Sequence, residues 1–358
     1  MSPVYWMLLL VVLALGILAQ RNPIAVTRPN GNYTLRPDTG AVIILTVILA
    51  AVSGLRYWVG TDYGAYYKWN IAEWSVVWER ILHYREGGFS LLVKLARTVW
   101  DDGQSVIFIS AAVTVGLYCR TIYKYSPMYL LSMLLYLFMG EWQGGFNGVR
   151  QYMAAAIVFA GHRLILERKL WQYCLVLIVA GMFHSSALVM ILPYFLFTRK
   201  ADISQIILLA AGALIARFSY GFIFDLIGGY KGAMLNVTGD PYLNSGVNIL
   251  RILVAFVPVF IYVFLCKKDG LTKEQTFYVN AALFNAFSML AGMGSTYLAR
   301  IGIYTNAAII IGYGYLLQLI DDEKTRKVTV YLTGIMFLLY WLYSLRAAGI
   351  GSYRWVLG

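Results

Sequence analysis

The sequence predicts an all-α integral membrane protein whose helices form one polytopic bundle. Hydrophobic residues make up 60% of its 358 residues and charged residues only 13%. Apolar stretches long enough to cross a hydrocarbon core of roughly 30 Å recur from end to end. The Lys and Arg residues gather in short clusters between these stretches. Because short cytoplasmic loops carry an excess of basic residues, this distribution also predicts a topology.

We predict about 11 to 12 transmembrane segments in a single membrane domain that covers residues 1–358. The first segment has no basic residue before its apolar run, and Arg21 follows it. An uncleaved anchor is therefore favoured over a cleaved signal peptide. Both chain termini are then predicted to lie outside the cytoplasm. The predicted segments are 4–20, 40–55, 103–120, 127–141, 149–166, 170–183, 185–198, 203–219, 247–266, 275–293, 298–319 and 327–346.

Six clusters of basic residues separate these segments at the ends that are predicted to face the cytoplasm. In a soluble protein, the net charge of +12 would favour a nucleic-acid partner. Here much of that charge marks topology, so we expect membrane lipid as a partner and no nucleic acid. The clusters are Arg21/Arg28/Arg36, Arg120/Lys124, Arg163/Arg168/Lys169, Arg199/Lys200, Lys267/Lys268/Lys273 and Lys324/Arg326/Lys327.

The predicted topology depends on residues 170–198. One continuous span would place Arg199 and every later basic cluster outside, against the charge rule. Two shorter segments that meet at His184 place every cluster in the cytoplasm. Residues 170–183 make a helix only about 21 Å long at 1.5 Å per residue, so the turn should lie inside the bundle, buried or lining a cavity. The sequence therefore predicts a broken or re-entrant helix pair near residue 184.

Two long loops are predicted to lie outside the cytoplasm. Residues 56–102 are rich in Tyr, Trp and charged side chains. Within them, 88–100 has an amphipathic pattern typical of an interfacial or re-entrant helix. Residues 219–246 are rich in Gly, Tyr and Asn. We expect both loops to cover one outward-facing cavity in the bundle.

The basic residues outside the six clusters are mostly arginines. A guanidinium stays charged and holds phosphate oxygens in a bidentate fork, and arginines near a membrane core usually face a cavity. The alternative is that each arginine extends to the headgroups of the outer leaflet. Arg150 and Arg300 argue against this alternative, because each begins a predicted span beside polar residues.

Short motifs at the predicted outer ends of the segments carry a family resemblance. They are Arg56 with Gly60-Thr61-Asp62-Tyr63 and Tyr66-Tyr67, Glu86-Gly87-Gly88-Phe89, Asn147-Gly148-Val149-Arg150-Gln151, Phe183-His184-Ser185-Ser186, and Arg300 with Tyr304. With these motifs in this order, the chain resembles, over nearly its whole length, the EpsG family of exopolysaccharide-biosynthesis membrane proteins, which are related to Wzy-type polymerases of O-antigen and capsule. The resemblance implies a GT-C-like, multi-pass bundle in the bacterial inner (plasma) membrane.

The resemblance also implies a glycosyltransferase. No Asp-x-Asp pair is predicted to face outward, so we expect a mechanism in which arginines take the place of a metal, and we expect no cofactor. Such an enzyme joins oligosaccharide repeat units linked to undecaprenyl diphosphate on the outer face of the membrane. Its lipid-linked donor and acceptor are the expected partners, and a chain-length regulator of the same pathway is a candidate partner. Two alternatives remain, an O-antigen-type ligase and a flippase or transporter of the lipid-linked precursor. A transporter should carry polar residues through both membrane halves, whereas here the unusual charges lie on the predicted outer side.

Arg56, Arg150 and Arg300 are the predicted ligands of the diphosphate. Asp62 and His184 are the predicted catalytic residues. Asp62 can instead cap a turn. His184 can act as a base, as a phosphate ligand, or as a partner for the backbone of the broken helix. The candidates for sugar binding are Tyr63, Tyr66, Tyr67, Glu86, Gln151 and Tyr304.

Overall fold

A computed structural model describes residues 1–27, 33–231 and 246–356, which are mostly helical. The helices are α1 (Pro3–Arg21), α2 (Thr39–Gly54), α3 (Tyr63–Tyr67), α4 (Trp74–Leu82), α5 (Gly87–Val99), α6 (Gly103–Tyr125), α7 (Tyr129–Phe138), α8 (Glu141–Gly144), α9 (Val149–Ala160), α10 (Arg163–Leu166), α11 (Leu170–Gly181), a 3₁₀ helix (Ser185–Met190), α12 (Ile191–Leu196), α13 (Ile203–Lys231), α14 (Ile249–Leu265), α15 (Lys273–Ala291), α16 (Thr296–Ala299), α17 (Ile301–Leu317) and α18 (Glu323–Ala347). A two-stranded antiparallel sheet pairs β1 (Ile24–Thr27) with β2 (Tyr33–Arg36).

Each predicted span coincides with at least one helix. Within the described chain, α1, α6 and α18 are long and apolar enough to cross a membrane, and six further apolar helical segments are shorter. The protein is thus a mostly helical chain with the apolar helices of a membrane protein. The number of spans stays a prediction, because a helix of 10 to 17 residues is shorter than the roughly 20 residues that a full crossing needs.

The chain reverses direction at His184, as the sequence predicts. α11 ends shortly before this residue, and the 3₁₀ helix and α12 then run back along α11. Tyr173 stacks on Tyr194 with ring centroids 6.1 Å apart. Arg168, which precedes α11, donates from Nη1 to Thr198 Oγ1 at 2.8 Å. Because residues before and after the pair meet at one end, this is a broken hairpin and not one continuous span.

The basic clusters meet at one end of the bundle, as the predicted topology requires. Each contact joins a basic cluster, or a residue next to one, to the loop or helix end that carries another. These contacts are Arg36–Tyr123, Arg163–Tyr125, Arg163–Glu274, Arg168–Thr198 and Lys267–Leu319. That this end faces the cytoplasm stays a prediction from the charge pattern.

Both ends of the chain lie together at the opposite end of the bundle. The backbone amide of Ser2 donates to the carbonyl of Gly351 at 2.7 Å. The tail after α18 continues beside the segment that follows α2. Tyr57 N donates to Arg354 O at 2.9 Å, and Arg56 pairs with Trp355 in an isolated antiparallel bridge. The tail therefore fixes the start of the 56–102 loop, which carries the first motif.

Two features differ from the predicted all-helical arrangement. The segment after α1 forms the β1–β2 hairpin, where the basic residues led us to expect a plain loop. α13 does not end at Ser219 but continues to Lys231, so the predicted loop 219–246 starts within a helix. Residues 232–245 of that loop lie outside the described chain. The apolar pattern of the sequence predicted only the apolar first part of α13, up to Ser219, and not the less apolar continuation of the same helix.

Candidate active site

The motif that begins at Arg56 (the first motif) packs against the motif Asn147–Gln151 (the third motif) at the end of the bundle that carries the chain termini. The amide of Thr61 donates to Asn147 Oδ1 at 2.8 Å. Gly60 has φ +106°, and a Cβ there would lie 2.7 Å from Asn147 Oδ1 and 2.8 Å from Phe146 O. Only glycine fits this conformation and this close approach. The loop therefore presses directly on the turn from which α9 begins.

The buried side chain of Arg56 is hydrogen-bonded to the backbone of this loop and of the turn before α9. Its side chain is 1% exposed, its Nε donates to Val59 O at 3.3 Å, and its other nitrogens reach the carbonyls of Ser53 and Phe146. Its Cζ also lies 4.6 Å from the ring centroid of Phe146. Burial lowers the pKa of Arg56 to about 10, which leaves the group cationic at neutral pH. Arg56 thus supports the turn that leads to α9, with one bond from each of its three nitrogens to a backbone carbonyl, and its contact with the diphosphate stays a prediction.

The motif Glu86–Phe89 (the second motif) is hydrogen-bonded to the broken hairpin. The amides of Gly88 and Phe89 donate to Met182 O at 3.0 and 3.3 Å. A Cβ on Gly88 would lie 2.9 Å from the Cβ of Met182, so the absence of a side chain permits this contact. Glu86 precedes α5 in the left-handed conformation, with φ +54°, and its carboxylate points to the start of α9. The start of α5 thus lies directly beside His184.

Arg150 lies in the first turn of α9 and forms an ion pair with Glu86. The two side chains are 28% and 25% exposed, so the pair is reachable from outside the protein. The Arg150 guanidinium also lies 5.0 Å from the ring centroid of Trp69. An aromatic face and a carboxylate therefore fix the position of this guanidinium.

A chain of hydrogen bonds begins at His184. Its Nδ1 lies 2.7 Å from Ser186 Oγ, and that hydroxyl lies 2.8 Å from the hydroxyl of Tyr304 on α17. Gln151 Nε2 reaches Ser186 Oγ at 3.5 Å and the carbonyl of Arg300 at 3.3 Å. Polar side chains thus connect the motif Asn147–Gln151 (the third), the motif Phe183–Ser186 (the fourth) and the motif of Arg300 with Tyr304 (the fifth).

Arg300 is the residue immediately before α17, and its Cζ lies 5.2 Å from the ring centroid of Tyr297. Gln151, which follows Arg150 on α9, bonds both to Ser186 and to the carbonyl of Arg300, so the two arginines adjoin the same group of polar side chains. We call the resulting group the motif cluster. Its members are Glu86, Arg150, Gln151, His184, Ser186, Arg300 and Tyr304.

Ser186 is the member of the motif cluster that sequence reasoning did not single out. It was part of the quoted Phe183-His184-Ser185-Ser186 motif, but nothing in the sequence distinguished it from its neighbour. The structure separates the two serines, because Ser185 is exposed while Ser186 bridges His184 and Tyr304.

Asp62 and Tyr67 lie in the 56–102 loop and contact residues of that region instead of the motif cluster. Asp62 is exposed, and its carboxylate accepts from Thr61 Oγ1 at 3.2 Å. Its carbonyl accepts from the amides at the start of α3, so the turn-capping alternative describes its backbone. The hydroxyl of Tyr67 donates to Asp102 Oδ2 at 3.0 Å.

Tyr63 and Tyr66 belong to the interior of the loop. Tyr63 is 0% exposed and Tyr66 6% exposed, and both rings pack on other aromatic rings, among them Tyr67 and Trp69. The Tyr63 hydroxyl bonds to Gln104, and burial raises its pKa to about 12. Neighbouring side chains cover both rings, and their contact with a sugar stays a prediction.

The motif cluster combines groups that suit the transfer of a sugar from a phosphate leaving group. Two guanidinium groups supply positive charge, an imidazole can accept a proton, and two hydroxyls and an amide can donate hydrogen bonds. Within residues 1–27, 33–231 and 246–356, no group of three or more His, Cys, Asp or Glu side chains is placed to hold a metal ion. The fold and the cluster define a helical membrane protein with a cationic polar site at one end.

The chain belongs to the EpsG family, whose family model matches residues 41–356. The match includes α2 from residue 41 onward, every residue of the motif cluster and the C-terminal tail that pairs with the Arg56 segment. It places the protein among those related to exopolysaccharide biosynthesis. No curated protein and no solved structure matches the chain.

Proposed function

We propose that the protein is a polysaccharide polymerase of the bacterial inner membrane that joins oligosaccharide repeat units carried on undecaprenyl diphosphate. The observation that carries the proposal is the set of hydrogen bonds that runs from His184 through Ser186 to Tyr304 and from Gln151 to the carbonyl of Arg300, which joins α9, the broken hairpin and α17 in one polar cluster. Membership of the EpsG family supports the same chemistry. The site would lie on the outer face, opposite the basic clusters.

Arg150 and Arg300 bind the diphosphate of the donor in this proposal. Both begin helices, so free backbone amides and the positive end of the helix dipole add to the guanidinium charge. Charge that is already in position stabilises the diphosphate as it leaves and carries more negative charge. Arg56 contributes indirectly, by fixing the turn that leads to Arg150.

His184 acts as the general base. A hydroxyl of the acceptor sugar attacks the anomeric carbon of the donor sugar, and the bond from that carbon to the diphosphate oxygen breaks. The hydroxyl proton passes to Nε2 of His184, since Nδ1 is turned to Ser186. The products are a glycan extended by one repeat unit and free undecaprenyl diphosphate. The partly exposed Tyr67 remains a candidate for sugar contact, and Asp62 for the edge of the acceptor site. Gln151 and Tyr304 are 5% and 3% exposed, so in this proposal they fix the positions of Ser186 and of the Arg300 backbone.

A ligase would use the same donor site with another acceptor, and a flippase would move the precursor without transferring the sugar. Deletion of the gene separates these functions by the species that accumulates. Loss of a polymerase leaves single repeat units on lipid in the outer leaflet, whereas loss of a flippase leaves them in the inner leaflet. Loss of a ligase leaves long lipid-linked polymer. Accumulation of either of the last two species would contradict the proposal.

A further inference from the structure

An open groove lies on the surface of the bundle between α6, α9, α10 and α11. Its volume is about 590 Å³. Leu175 and Val179 of α11 are each 47% exposed, so the groove is open on the side of this helix. Because α6 is long and apolar enough to cross a membrane, we expect the groove beside it to meet lipid chains. The apolar side chains of its walls include Leu117, Ile157, Leu164, Leu175, Val176 and Val179.

The groove begins at the end of the bundle where the basic clusters meet. Tyr125, Arg163 and Glu167 line it there. From this end α11 runs towards His184, and Val179 is the lining residue farthest along it. Leu170, the first residue of α11, lies about 14 Å from Val179 at 1.5 Å per residue. The groove therefore has one charged end and one long apolar part, as a phospholipid has.

The charged end carries an excess of positive charge. Its two carboxylates are used in the ion pairs Arg163–Glu274 at 2.9 Å and Glu167–Lys169 at 2.7 Å. Lys124 is exposed and takes part in none of the ion pairs between described residues. Its Nζ lies 5.1 Å from the ring centroid of Tyr125, and the Cζ of Arg163 lies 5.5 Å from the same centroid. Two cations thus adjoin the aromatic ring at the mouth of the groove.

A phospholipid with an anionic headgroup matches both parts of this groove. Water does not fill an apolar cavity, and an empty groove loses the dispersion contacts of its walls, so an acyl chain is the natural occupant. The chain does not select one phospholipid over another, because all of them supply acyl chains. The headgroup does, since basic pockets between transmembrane helices at the cytoplasmic side bind anionic headgroups. Phosphate oxygens accept hydrogen bonds from ammonium and guanidinium groups.

We propose that this groove binds one anionic phospholipid, with an acyl chain along α11 and the headgroup phosphate at Lys124 and Arg163. The headgroup lies in the leaflet at the basic end of the bundle, which the charge pattern predicts to be the cytoplasmic one. The site is separate from the motif cluster, because Arg150 lies at the start of α9 and Arg163 follows the end of that helix. The inference therefore does not depend on the proposed function.

Two substitutions test this assignment in the full-length protein purified in detergent. Lys124→Gln removes the exposed charge, and Ala160→Phe places a ring in the groove that Ala160 lines. Lys324→Gln is the matched control for charge, because Lys324 is an exposed lysine of another basic cluster. Gly212→Phe is the matched control for size, because a Cβ at Gly212 meets nothing within 4 Å. Native mass spectrometry measures the lipid that each protein retains after incubation with phosphatidylglycerol, phosphatidylcholine or undecaprenyl phosphate.

We expect the unsubstituted protein and both controls to retain phosphatidylglycerol about fivefold more than phosphatidylcholine. Lys124→Gln should lose this preference, and Ala160→Phe should retain little of either phospholipid. An unchanged preference in Lys124→Gln would overturn the inference, whether or not Ala160→Phe is stable enough to purify. Unchanged retention by Ala160→Phe would overturn it as well. Preferential retention of undecaprenyl phosphate, lost in Ala160→Phe, would assign the groove to the tail of a prenyl lipid and would also overturn the inference.

Discussion

Glu86 and Arg150 form an ion pair that joins the start of α5 to the start of α9, two segments 64 residues apart in the chain. The pair lies over Trp69 and next to the broken hairpin. The carboxylate of Glu86 thus occupies one hydrogen-bonding side of the Arg150 guanidinium. The same carboxylate also orients the guanidinium.

Replacing Glu86 with Gln should separate these two effects. Without the competing carboxylate, we expect inorganic diphosphate to bind more tightly, by about threefold to tenfold. Polymer formation should fall, because Arg150 loses the partner that fixes its fork. Glu73→Gln is the control, since Glu73 is an exposed carboxylate of the same loop. Weaker diphosphate binding in Glu86→Gln would indicate that Glu86 only orients Arg150.

Ser186→Ala should lower the rate of polymer formation without lowering the amount of protein in the membrane. The substitution breaks the chain of hydrogen bonds from His184 to Tyr304, so the imidazole loses its fixed orientation. We expect a loss of about tenfold, which corresponds to about 1.4 kcal/mol in activation free energy. The neighbouring substitution Ser185→Ala should have no effect, because Ser185 is exposed. Equal rates for the two variants would remove His184 from the mechanism.

Gly60→Ala should destabilise the loop that supports α9. The residue has φ +106°, and a Cβ would approach both Asn147 and Phe146 closely. The backbone strain alone costs about 1–3 kcal/mol, and the close contacts add to it. Gly349→Ala is the matched control, because Gly349 also has positive φ, +67°, but nothing lies within 4 Å of a Cβ there. Thermal unfolding in detergent measures the difference, and equal unfolding temperatures would contradict the packing of the first motif on the third.

The topology can be tested by labelling single cysteines in a variant that lacks the three native ones. Cysteines at Leu82 and Val99, both strongly exposed in the 56–102 loop, should react with an impermeant thiol reagent added to intact cells. Cysteines at Lys200 and Lys268 should not react until the membrane is opened. If the cysteine at Lys200 reacted from outside, that end of the bundle would face away from the cytoplasm, and the predicted topology would be wrong there.

The arrangement of the helices could be predicted from the sequence because apolar length and basic clusters are strong signals in a membrane protein. The reversal at His184 followed from the charge rule alone. The β1–β2 hairpin was missed, since its strands are four residues each and carry no alternation long enough to detect. The extension of α13 beyond Ser219 was missed because Gly and Tyr residues end the apolar pattern there.

The candidate site was predictable in part. The motifs include Arg150, His184 and Arg300, and hydrogen bonds of Gln151 and Ser186 connect the three segments that carry these residues. Arg56 and Tyr63 stood in an equally distinctive motif, yet both are buried. A sequence pattern does not reveal whether a side chain supports a site or lines it, because that depends on long-range packing.

The most direct measurement of the central claim is polymer formation by the purified protein from a synthetic repeat unit on a lipid diphosphate. We expect a ladder of products with the unsubstituted protein, a large loss of product with Arg150→Lys, which keeps the charge but not the fork, and a larger loss with Arg150→Ala. Both variants should insert normally. A ladder of normal length from Arg150→Ala would show that Arg150 is a headgroup anchor. The absence of any ladder from the folded, unsubstituted protein with its cognate substrate would contradict the assignment as a polymerase.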